Sequence, residues 1–89
     1  MKKKNKIKPR LSVEEQIANA NEAETLLDSP LFNKTCDWIE DKYISTWANT
    51  ESSEEELRGH CYYQLQALYA IKEEIQFIIN SAKLAKQST

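Results

Sequence analysis

The chain has 89 residues and a formal net charge of −2, a size that makes a single domain able to bury only about 60 % of its unfolded surface. The net value hides a division: the first ten residues carry six Lys or Arg and no acid, +6, while residues 11–89 hold six basic residues against fourteen acidic ones, −8. An apolar fraction of 40 % argues against wholesale disorder, and a single Gly with two Pro points to long helices and leaves no Gly-rich phosphate loop.

Residues 1–11 read as a flexible basic arm. Lys2, Lys3, Lys4, Lys6, Lys8 and Arg10 repel one another and resist packing, and such a cluster is an electrostatic handle for phosphate or for an acidic protein surface. A solubilising tail without a specific partner is the plainer alternative. Pro9 and Arg10 follow where a signal peptide would have an apolar core, and no apolar run approaches the roughly 20 residues of a membrane span, so the expected location is a cytoplasm.

Residues 12–89 read as one helical domain. Ser12 followed by Glu15 forms a capping box and places the start of a first helix at Val13. Its apolar positions, Val13, Ile17, Ala20 and Leu27, are helical in spacing but mostly modest in size, and the helix should end near Asp28. Ser29-Pro30 opens a second helix, to about Asn49, because Ser caps and Pro fits the first helical position. Phe32, Cys36, Ile39, Tyr43 and Trp47 give it an aromatic-rich stripe that faces the core, with Leu31, Trp38 and Ile44 beside it.

Asn49 to Ser52 breaks the pattern, and Ser52 with Glu55 or Ser53 with Glu56 offers another capping box. The short turn favours antiparallel packing, and Glu54, Glu55 and Glu56 complement the positive end of the third helix. That helix should run from about Ser53 to Lys83 or beyond. Leu57, Cys61, Gln64, Leu68, Ile71, Ile75, Ile78, Ala82 and Ala85 alternate by four and three, a coiled-coil seam that Leu65 and Ile79 widen. At about 45 Å it outruns the second helix, which covers about 30 Å. The surplus end, Ile75 to Leu84, is expected to meet copies of the chain, through Leu68, Ile71, Ile75, Ile78, Ile79 and Ala82; the alternative is that the first helix folds back over it. Gln64 either fixes the register of that seam or sits at its wet edge.

Chemistry is sparse. His60 and Cys61 are adjacent and point about 100° apart on a helix, which rules out a hydrogen-bonded nucleophile and base. Cys36 and Cys61 have no partners at metal spacing and read as reduced, buried thiols. Asp37, Glu40 and Asp41 are close enough to share a cation, though a solvated acidic face is the simpler reading. Gly59 is explained either by a close approach to Trp47 or Trp38 or by plain tolerance. No catalytic residue, cofactor or metal is expected. Tyr62, Tyr63 and Tyr69, aromatics with polar tips, form a second candidate contact surface for a protein partner.

The run Leu26-Leu27-Asp28-Ser29-Pro30-Leu31-Phe32, then Trp38-Ile39-Glu40 and Tyr43-Ile44-Ser45-Thr46-Trp47, an acidic turn, Arg58, the Leu65 to Leu68 stretch and Lys83-Leu84-Ala85 resemble small helical proteins of tailed bacteriophages and prophages, mostly of unassigned role. The resemblance covers about residues 22–86. It implies an all-α, non-catalytic protein akin to small terminase subunits, which assemble into rings and help a large motor subunit package DNA. Partners would then be further copies, a large terminase subunit or another assembly protein, and DNA through the arm. A helix-turn-helix with base-reading side chains is not evident. The competing expectation is a small adaptor or inhibitor that binds one host or phage protein through the tyrosines.

Overall fold

A computed structural model describes residues 11–87; the basic residues Lys2, Lys3, Lys4, Lys6, Lys8 and Arg10 lie outside the described residues. The described chain is all-α, with α1 over Val13–Asp28, α2 over Pro30–Ala48 and α3 over Glu55–Gln87. Each boundary has a local cause. At α1 the Ser12 hydroxyl accepts from the Glu15 amide at 3.1 Å while the Ser12 amide donates to the Glu15 carboxylate at 2.8 Å, so two otherwise orphaned donors are satisfied.

Ser29 closes α1 and opens α2. Its backbone is extended, its amide donates to the Leu26 carbonyl, and its hydroxyl accepts from the Phe32 amide at 3.2 Å. The Asn33 side-chain amide fastens the corner by donating to the carbonyls of Leu27 and Ser29 at 2.7 and 3.0 Å. Pro30 then continues as the first residue of α2, where a missing amide costs nothing.

The second turn departs from expectation. α3 starts at Glu55, with the Arg58 amide donating to the Glu54 carbonyl as its first helical bond, and the reciprocal side-chain bond runs from the Glu51 amide to the Glu54 carboxylate at 2.7 Å. The turn before α3 is thus closed by Glu54, whose carboxylate accepts from the Glu51 amide, and the helix begins after both Ser52 and Ser53.

α2 runs antiparallel along the N-terminal half of α3: Tyr69 meets Glu40, His60 meets Tyr43 and Arg58 meets Trp47. α1 covers the C-terminal half. Ala23 packs with Ile75 and Ile79 in one buried cluster, with Leu27, Phe32 and Ile78 against it. The expected uncovered end of α3 is thus not uncovered. Ile75, Ile79 and Ala82 are buried within the chain beneath α1, whose small Ala20 and Ala23 let the helices approach closely, and Leu68 is buried as well.

The buried strip also differs from the expected seam. Cys61, Leu68, Ile75 and Ala82 are inside as the heptad requires, but the intervening inner positions are Leu65 and Ile79, whereas Gln64 is exposed, Leu57 is 39 % exposed and Ile71 is 56 % exposed. Two helices approach α3 on different flanks, α2 beside Leu65 and Tyr69 and α1 beside Ile78 and Ala82. A straight helix drifts by about 20° per heptad, which carries the buried strip from the first partner to the second.

Candidate interaction surfaces

The interior holds few large side chains. Among the described residues the large buried ones are Leu68, Ile75 and Ile79; the other buried ones are Ala20, Ala23, Ala82, Cys36 and Cys61. Twelve large apolar or aromatic residues of the described chain are exposed. This imbalance makes the surface, more than any cleft, the place where the chain can act.

The two expected contact surfaces are redistributed. Among the residues expected between copies, Leu68, Ile75, Ile79 and Ala82 are occupied by the chain's own packing, Ile78 is half-buried against α1, and only Ile71 is open. The three tyrosines do not share one face. Tyr62 and Tyr63 are 56 % and 69 % exposed and brace each other edge to face, with ring centroids 5.5 Å apart. Tyr69 turns toward α2, where its hydroxyl donates to the Glu40 carboxylate at 2.6 Å. That bond, some desolvation and the Glu40 charge all raise the Tyr69 phenol above its ordinary value of 10.0.

The remaining polar candidates have structural roles. His60 lies edge-on to Tyr43 at 5.8 Å, and Cys61 is fully buried, so the two do not act together. Both cysteines are free. Glu40 is engaged by Tyr69, and among the described residues no three His, Cys, Asp or Glu converge on a possible metal position. Gly59 is not a close approach: a Cβ there would meet nothing within 4 Å. Arg58, to which the sequence pattern assigns no structural role, fixes the second turn instead. Its guanidinium stacks over the Trp47 ring at 4.4 Å and donates to the Thr50 hydroxyl at 2.7 Å.

A surface absent from the sequence reading runs down the back of α3, opposite α2. Tyr63, Ala70, Phe77 and Leu84 recur every seven residues, and all four are exposed, Phe77 by 61 % and Leu84 by 64 %. The signal was present in the spacing, but the stronger Ile and Leu seam on the other side masked it. Beside Phe77 a mainly apolar groove opens between Leu11 with Gln16 and Asn19 of α1 on one side and Glu74, Ile78 and Ser81 of α3 on the other. No described helix is long and apolar enough to cross a membrane.

The described residues define an all-α arrangement of three helices with few large side chains inside and several large apolar ones exposed. The chain matches no family model, and neither a curated protein nor a solved structure matches it significantly.

Proposed function

We propose that the chain is a non-catalytic assembly component, of the small-terminase kind, that acts in phage DNA packaging or particle assembly. Copies associate through exposed helical surface, and each contributes a basic segment to a shared DNA contact. The observation that supports this reading is the pairing of a thin core and large exposed apolar area with the +6 segment at residues 1–10. Weak phosphate contacts by Lys2, Lys3, Lys4, Lys6, Lys8 and Arg10 gain strength when several copies present them together.

Removing residues 1–10 tests it. DNA retention by the full chain should be lost on deletion and should weaken with salt, by roughly 5 logarithmic units of affinity per logarithmic unit of salt for each fully engaged segment. Retention that survives deletion removes the segment from the mechanism. A native mass of about eight or more copies by light scattering supports a packaging ring.

The second reading, an adaptor or inhibitor for one host or phage protein, draws on Tyr62 and Tyr63, which are exposed side by side. It is favoured by a native mass of one or two copies together with DNA retention that does not respond to the deletion.

A further inference from the structure

The groove between α1 and α3 lies where the chain enters the fold. Leu11 lines it together with Phe77 and Ile78. The backbone at its mouth is held: the Gln16 side-chain amide donates to the Leu11 carbonyl at 3.3 Å, and Ser12 is extended, with φ −69° and ψ 163°. Phe77 is 61 % exposed and Leu11 43 %, so the described residues leave these apolar walls uncovered.

The sequence just upstream has the pattern of an occupant. Ile7, Pro9 and Leu11 alternate with Lys6, Lys8 and Arg10, and a period of two puts the apolar residues on one side of an extended chain and the basic ones on the other. Pro9 favours that conformation, because it fixes its own φ and turns Lys8 away from the helical region. An extended chain that keeps Leu11 in the groove carries Pro9 and Ile7 on the same side, about 7 and 13 Å upstream.

We propose that residues 7–10 lie extended in this groove, with Ile7 and Pro9 against Phe77 and Ile78, and with Lys6, Lys8 and Arg10 turned outward as a row. Tethering favours the chain's own segment over a separate molecule, since it begins one residue from the groove and a short link supplies an effective concentration in the millimolar range. Charge favours it over a second copy. Glu74 stands at the rim, Glu73 beside it and Glu14 in the first turn of α1, within reach of long basic side chains whose stems lie on apolar surface. The helical body of another copy, at −8 over residues 11–89, would bring more acid to these carboxylates. Size favours a strand over a helix: the groove holds about 350 Å³, room for two side chains, whereas a single helical turn fills roughly 400 Å³.

Docking changes what the basic cluster presents. Lys6, Lys8 and Arg10 become a row at intervals of about 7 Å, set at a fixed place beside the start of α1, and Lys2, Lys3 and Lys4 lie beyond the groove. A phosphate backbone or an acidic surface then meets these bases in a defined orientation to the helices. The docking itself does not rest on the DNA reading.

Methyl NMR of the full, unsubstituted chain tests it. The Ile7 δ1 methyl should show cross-peaks to the Phe77 ring and should resonate away from its position in a synthetic peptide of residues 1–10. A methyl at the peptide position without such cross-peaks overturns the proposal. In a mixture of labelled and unlabelled chains, cross-peaks between the two kinds would place the segment in a second copy's groove and overturn it equally. Phe77→Ala, at an exposed site and with its helical circular dichroism checked, should return the Ile7 methyl to the peptide position, whereas Leu31→Ala, exposed on α2, should leave it where it is. A methyl indifferent to Phe77→Ala overturns the proposal. DNA retention that survives removal of residues 1–10 overturns the packaging reading alone, because the methyl measurement contains no DNA.

Discussion

Tyr69 and Glu40 show how a single polar contact sets the register of α2 on α3. The hydroxyl donates to the carboxylate at 2.6 Å across 29 residues of sequence, and ionising the phenol would place two negative charges together. The folded-state value therefore lies above the unfolded one, so the contribution of this bond is fully present below about pH 10 and is lost as pH rises through the folded value. An ultraviolet titration should show one tyrosinate component above the ordinary phenol value, and Glu40→Gln should bring it down. An unmoved component would mean that Glu40 is not its cause. Arg58 is the other residue with leverage, because its stacking on Trp47 and its bond to Thr50 hold a turn that contains no glycine. Arg58→Ala should cost roughly 1–2 kcal/mol in urea unfolding, and Arg58→Lys should restore only part of it, since an ammonium cannot stack as a planar guanidinium does.

Among the elements, helix identity was legible and helix partnership was not. Ser12 with Glu15, Ser29 with Pro30 and the acidic turn mark boundaries through backbone donors, which are local and can be read along the chain. Which face each helix buries depends on how many neighbours arrive and from where. The sequence offers two overlapping seams on α3, one through Gln64 and Ile71 and one through Leu65 and Ile79. The first has the better alternation, but the weakly apolar α1 docks on small Ala20 and Ala23 and draws the strip toward the second. Close approach of small residues leaves little hydropathy signal, which is why the first helix stood only as the alternative cover for the end of α3. The two seams separate by experiment. Ile79→Ala should cost roughly 2–5 kcal/mol in urea unfolding because it opens a cavity beneath α1, while Ile71→Ala, at an exposed site, should stay within about 0.5 kcal/mol. Equal costs would restore the seam through Ile71.

For the whole molecule, the decisive quantity is the small number of large side chains inside. Among the described residues the large buried side chains are Leu68, Ile75 and Ile79, with alanines, cysteines and half-buried residues such as Leu27, Phe32 and Ile78 filling the rest, a modest apolar burial to set against the conformational entropy of three helices. Association, where it contributes to stability, enters through mass action. If copies pair before they unfold, the melting temperature of the full chain should rise with protein concentration. For a pair of chains with unfolding enthalpies typical of their length, the rise is about 4 °C per tenfold concentration. The same series on the chain carrying Tyr63→Glu and Phe77→Glu is flat if the association uses the back of α3, where both positions are exposed. A wild-type melting temperature independent of concentration would show that the three helices suffice alone and would detach the exposed stripe from stability. A dependence that persists in the double variant would instead place the association on the other open apolar positions, Leu31 and Trp38 of α2 or Leu57 and Ile71 of α3. Measured between about 1 and 100 μM, the slope thus decides both whether the fold is completed by a second copy and which side of α3 receives it.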